Sequence, residues 1–267
     1  MKTLHPKPLV LSRSCGFLAV DGETSRNSCE QPTLWLLECR RHKLWDGPDN
    51  PSGLGLALLQ MLNQDEQLHW SAQNIRADRD RCLLGRAALR CLLSQRLNIA
   101  PVEVPLKKGL MGKPMLDSMS SPRIQFNLSH ASDLVLIGLH HHNPIGVDLE
   151  SIEAALSIQN SGDLLDVARQ MFHPEIVDSI SLLPFDQQPE AFLLQWCQLE
   201  AQLKAHGTGL TTHLIRRREG SYLMQQNYST VNYAVALPAD YIGSCSMIPN
   251  SSLQKPIQAH SYYIYHK

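Results

Sequence analysis

Apolar and polar positions change period several times along the chain, and each change predicts an element. Residues 1–53 are poorly periodic apart from Leu34–Cys39, which reads as a strand running into a Gly/Pro/Asp/Asn loop. "LGLALLQMLNQDEQLHW" reads partly as helix. Helical period is clearest from Asp78 to Arg96, where Leu83, Ala87, Arg90 and Cys91 fall within one period, and "NIAP" stops it. A loop containing "KKGLMGKPML" follows. Two strands, "IQFNLSH" and "LVLIGLHH", flank the turn "ASD", and after "HNP" a short strand "IGVDLE" begins at Ile145. Ser157–Phe172 is expected to be helical. A longer helix over 189–206 should end at Gly207, suited to the left-handed position past a helix end. "SYLMQQ" and "VNYAVAL" read as late strands, and the tail after Ala239 has no clear pattern.

Alternation along "IGVDLE" carries the first chemical signal. Residues at i and i+2 of a strand share a face, so Asp148 and Glu150 converge while Val147 and Leu149 point the other way. Two carboxylates held together need a cation or an arginine between them, or else water at a strand end. In the long helix, Phe192, Trp196, Leu199 and Leu203 form an apolar stripe, with Glu200 and Lys204 four apart off it. That pair is either a surface i,i+4 contact of a few tenths of a kcal/mol or a third carboxylate with a cationic phosphate anchor. Magnesium prefers oxygen ligands and binds through a few carboxylates, water and substrate phosphates.

Composition narrows the classes. The 267 residues are 43% hydrophobic and 18% charged with a formal net charge of -1, enough for a sizeable core and without a basic nucleic-acid footprint. Seven scattered cysteines contain no CxxC pair, the pattern of reduced thiols in a cytoplasmic protein. The start is broken by Arg13, Ser14 and Gly16 and disfavours an export signal. The longest apolar run is about half of what a bilayer span requires, so no membrane partner is expected. His140, His141 and His142 alternate faces and lack zinc-ligand cysteine spacing. "LMGKP" lacks the P-loop frame.

Five stretches taken in order resemble the 4'-phosphopantetheinyl transferases, in particular the surfactin-synthetase-activating type with two similar halves in one chain. They are "RCLLGRAALR" (Arg81–Arg90), "GKPML" (Gly112–Leu116), "FNLSHASD" (Phe126–Asp133), "IGVDLE" (Ile145–Glu150) and "WCQLEAQLKAHGTGL" (Trp196–Leu210). The resemblance implies an α+β fold, a pseudo-dimer of two similar α/β halves with the active site in the cleft between them. The expected halves are 1–144, with coenzyme A nucleotide contacts, and 145–267, with metal-binding acids and the catalytic helix. It implies a magnesium-dependent transfer of the phosphopantetheine arm from coenzyme A to a serine of an apo acyl, peptidyl or aryl carrier protein, by a monomer. Asp148, Glu150 and Glu200 match the metal-binding acids. Glu200, directly or through water, is also the candidate base. Lys204 matches a phosphate-contacting lysine, and Ser129 and His130 match the segment that meets a coenzyme A phosphate. Lys113 and Pro114 match the "GKP" loop that reaches the nucleotide's phosphates, and Arg81 matches a nucleotide-side arginine. Arg86 is expected to pair with a nearby acid rather than to meet ligand.

Two departures stand out. The resemblance expects W-x-x-K-E-A-x-x-K, yet Leu199 precedes Glu200. Upstream of the "DR" segment stand His69, Trp70 and Arg76 instead of a lysine pair. These departures support an alternative reading, a degenerate relative that binds coenzyme A or a carrier protein without efficient transfer. A third reading, a magnesium-dependent phosphohydrolase, requires an activated water in place of a docking surface. "RRRE" (Arg216–Glu219) reads as a solvated loop or strand end, or as help in docking an acidic carrier helix.

Overall fold

The computed structural model describes residues 18–20, 32–39, 43–47, 50–109, 112–117, 124–218 and 230–249. Two antiparallel sheets organise them. The first runs β1-β2-β6-β5, formed by Leu18–Val20, Thr33–Glu38, Leu134–His140 and Gln125–Ala131. The second runs β7-β9-β8, formed by Ile145–Ser151, Tyr241–Met247 and Val231–Ala234. A small hairpin pairs β3 (Leu106–Lys108) with β4 (Pro114–Leu116) where the sequence suggested only a loop.

Each sheet takes one long helix as its main cover. Helix α3 (Arg76–Leu97), preceded by α1 (Gly53–Leu59) and α2 (Gln64–Ser71), packs on β6. Leu83, Ala87 and Leu93 of α3 are buried with Val135 and Ile137 of β6 in one core cluster. Its C-terminus is held by Arg90, fully buried, which donates to Glu66 at 2.5 Å and to the carbonyls of Pro101, Val102 and Val104. Helix α7 (Gln188–His206) lies on β7 and β9, flanked by α4 (Ile152–Asn160), α5 (Leu164–Met171), α6 (Pro174–Ser181) and α8 (Leu210–Arg218). The architecture is therefore two similar α/β halves, as expected.

Several local expectations change. The helical stretch expected over 157–172 is divided between two helices, α4 and α5, where Gly162 turns the chain at a φ of 82°. Helix α7 does end at Gly207 in the left-handed region. Arg216–Arg218 lie in the last turn of α8, not in a loop or strand end; Arg217 donates to the Arg169 carbonyl and buried His213 meets the Met171 carbonyl. The patternless tail contains β9, the central strand of its sheet. "SYLMQQ" lies outside the described residues. His140 accepts the backbone N–H groups of His142 and Asn143, which makes it a cap for the turn into β7.

The sheets meet edge to edge. Asn127 of β5 accepts the Val147 N–H of β7 at 2.9 Å through its side-chain oxygen. One buried side chain thus replaces the ladder hydrogen bond that two separate sheets cannot make there.

Candidate functional site

Just along this seam, Ser129 and His130 on β5 stand beside Asp148 and Glu150 on β7. Helix α7 closes the site because Gly146 lets it come close. A Cβ on Gly146 would lie 2.0 Å from the Ala201 carbonyl oxygen and 2.5 Å from the Ala205 nitrogen. Trp196, Glu200 and Lys204, spaced i, i+4 and i+8, then share the face over β7. A cavity of about 490 Å³ collects these residues: Ser129, His130, Asp148, Glu150, Trp196, Glu200 and Lys204 all line it, with Arg86 from α3 and Pro114 from β4.

Its electrostatics are those of crowded acids in a half-dry space. Asp148 is 3% exposed; its Oδ1 accepts Lys204 Nζ at 2.6 Å and Ser129 Oγ at 3.0 Å. Ser129 also sits 3.2 Å from Lys204 Nζ, which closes a three-membered polar cluster. Lys204 pairs with Asp148 rather than with Glu200 one turn back, so the helical i,i+4 contact is not the one formed. Burial first, and then the neighbouring Asp148 and Glu200 charges, push the Glu150 carboxyl up to about 7 against the pull of Lys204. Burial raises Glu200 as well, opposed by Lys204. Burial and the Arg81 charge lower His130, so the imidazole faces the cavity as a neutral donor or acceptor at pH 7.

Other expected site residues lie apart. Lys113 donates to the carbonyls of Ile145 at 2.9 Å and Lys204 at 2.6 Å, and burial followed by the Lys204 charge lowers it to about 8. Its neighbour Pro114 reaches the cavity. Arg81 donates to the Ser132 carbonyl, pairs with Asp78 and lines a second cavity of about 380 Å³. Lys43 and Arg76 line that second cavity too, alongside Trp45. Lys43 and Trp45 carried no sequence signal, because they arrive from a loop distant along the chain. Trp45 stacks on Trp70 at 5.9 Å, with the Arg79 guanidinium 4.8 Å from both ring centroids. Leu199 packs among the α4–α6 apolar side chains, so a core position rather than a cavity position has taken up the departure from the expected lysine.

The donor set suits a hard divalent cation. Asp148 Oδ2 is buried with no hydrogen-bond partner, an acceptor left open at the acid cluster. Among the described residues no group of three or more His, Cys, Asp or Glu side chains forms a ready-made metal cage. Magnesium takes only a few protein carboxylates and completes its shell with water and substrate phosphates. Asp148, Glu150 and Glu200 offer oxygens of the right kind.

Comparison with known proteins adds an independent line. Residues 50–142 match the family model "4'-phosphopantetheinyl transferase, N-terminal", and residues 144–232 match "4'-phosphopantetheinyl transferase superfamily". The chain is 32% identical over 181 residues to the 4'-phosphopantetheinyl transferase HetI of Nostoc sp., covering 67% of this chain and 73% of the relative. It is 30% identical to a phosphopantetheinyl transferase of Thraustochytrium sp., over 56% of this chain and 54% of that one. It is also 25% identical to the 4'-phosphopantetheinyl transferase Sfp of Bacillus subtilis, over 51% of this chain and 56% of that one.

Proposed function

The chain belongs to the 4'-phosphopantetheinyl transferase superfamily, and on that premise we propose that it moves the phosphopantetheine arm of coenzyme A onto a serine of an apo acyl, peptidyl or aryl carrier protein. The observation that carries this reading is the single cavity at the seam. Three carboxylates, a lysine, a histidine and a serine from both halves line it. The reading extends to the two-half, single-chain, surfactin-synthetase-activating type, working as a cytoplasmic monomer. Its halves are 1–144 and 145–267. No described helix is long and apolar enough to cross a membrane.

In this reaction the acceptor serine oxygen bonds to the phosphorus that carries the pantetheine arm. The bond from that phosphorus to the bridging oxygen breaks, and adenosine 3',5'-bisphosphate leaves with the electron pair. Magnesium, held by Asp148, Glu150 and Glu200, would neutralise the pyrophosphate and the charge that develops as the bond breaks. Glu200 would take the serine proton, directly or through water; burial raises its carboxyl towards that task. Lys204 would turn from Asp148 to a phosphate oxygen, a short movement for a flexible ammonium that already faces the cavity. Ser129 holds Asp148 Oδ1 in place. His130 would donate to a phosphate. The second cavity carries Arg81, Arg76 and Lys43 on its walls beside Asp80 and Asp133, and its three cations would take the phosphate at the nucleotide end of coenzyme A.

The test is the intact mass of a panel of apo carrier proteins after incubation with the protein, coenzyme A and magnesium. A gain of one phosphopantetheine arm, lost in Asp148→Ala and Glu200→Ala, is the expected result. No gain on any carrier, with coenzyme A binding preserved by calorimetry, would replace transfer by simple binding.

A further inference from the structure

Cations around the main cavity are mostly committed before any ligand arrives. Lys204 is engaged by Asp148 and Ser129. Lys113 is held by two backbone carbonyls. Arg81 is held by Asp78 and the Ser132 carbonyl and faces the other cavity. His130 is driven towards its neutral form by burial and by Arg81. An anion carrying two or more charges enters a space that already holds three acids, and a cation bound to none of them is open to it without breaking an existing pair.

Arg86 is that cation among the described residues. It lines the cavity and is half-buried, yet it donates no hydrogen bond and forms no ion pair with a described residue. Its charge is felt by Cys82 one turn earlier, and no shift of Glu150 or Glu200 traces to it. The expectation that it pairs with a nearby acid is therefore not met. Its position follows from the packing of α3. A Cβ on Gly85 would lie 3.2 Å from Val135 Cγ1 and 3.6 Å from Leu128 Cδ1, so the glycine brings the helix against the β5–β6 hairpin. Arg81 and Arg86, five residues apart on a helix of 3.6 residues per turn, then face different cavities. An arginine also keeps its charge at any working pH and offers a planar fork suited to phosphate oxygens.

We propose that Arg86 is a ligand-binding residue of this site, supplying from α3 the uncommitted guanidinium that grips the pyrophosphate of the entering cofactor. This rests on the transfer reading above. It assigns the phosphate end of the cofactor a contact from the N-terminal half, while the acids come from the other half.

The test compares wild type with Arg86→Gln and Arg86→Lys in the full chain. Coenzyme A binding is measured by calorimetry without carrier protein, and KM and kcat are measured with it. The expected result for Arg86→Gln is a coenzyme A Kd and KM raised about tenfold and a lowered kcat, with thermal unfolding as in wild type. Arg86→Lys should recover part of the loss. Binding of pantetheine, which carries none of the three phosphates of coenzyme A, should not change in either variant. A Kd for coenzyme A equal to wild type in Arg86→Gln would overturn the proposal, as would a raised KM confined to the carrier protein, which would place Arg86 on the docking surface. Wild type that fails to bind coenzyme A would instead remove the transfer reading itself, and with it the ligand assigned to Arg86.

Discussion

Lys204 Nζ lies 2.6 Å from Asp148 Oδ1, and this contact joins helix α7 to strand β7 at the centre of the acid cluster. The two partners are not equally buried: the lysine side chain is 28% exposed and the aspartate 4%. Removing the lysine therefore leaves a charge stranded in the interior, whereas removing the aspartate leaves a lysine that can reach water.

Lys204→Met should accordingly destabilise the metal-free protein by about 1–3 kcal/mol, more than Asp148→Asn does. The double substitution should cost less than the sum of the two. Urea unfolding of the four proteins checks this. A double-substitution cost equal to the sum of the two single costs would mean that the pair contributes no coupling.

Asn127 is 4% exposed and splices the two sheets through the Val147 N–H. Asn127→Ala should cost about 1–3 kcal/mol, because it strands a buried donor. Hydrogen exchange at Val147 gives the more specific readout: this amide should lose protection while those within β6 keep theirs.

Gly146→Ala should move α7 away from β7, since its Cβ cannot coexist with the Ala201 carbonyl. About 1–3 kcal/mol of stability should be lost, and transfer should fall by more than folding alone explains because Glu200 and Lys204 ride on the shifted helix. Gly53→Ala, where a Cβ would meet nothing within 4 Å, serves as the control and should stay within about 0.5 kcal/mol of wild type.

Glu150 makes the metal-free protein sensitive to pH. Its carboxyl is raised from 4.5 to about 7 in the folded state, chiefly by burial and by Asp148. Between those values the folded form binds more protons than the unfolded one, so stability falls as pH rises through the window. Glu150→Gln should flatten that slope and unfold at a higher temperature than wild type above pH 7. Thermal scans at pH 5 and pH 8 without divalent ions test this; an unchanged slope in the variant would reassign the dependence to other groups.

The order of elements near the site was legible because its signals are local. Period-two alternation placed Asp148 and Glu150 on one face of β7, and helical period with Gly207 set the extent of α7. The five ordered motifs, by resemblance, indicated the family. Tertiary structure decided what those residues touch. Lys204 turned to Asp148 rather than to Glu200, Lys113 was taken by two carbonyls, and Leu199 went into the helical core. Lys43 and Trp45 reached the second cavity from a loop with no periodic signal, and β9 became a central strand from a tail without pattern. The physical reason is one of range. Alternation and capping act within a few residues, whereas partners, burial and pKa depend on which distant segments pack together. Here those contacts run through close approaches such as Gly146 to Ala201, which a one-dimensional pattern does not encode.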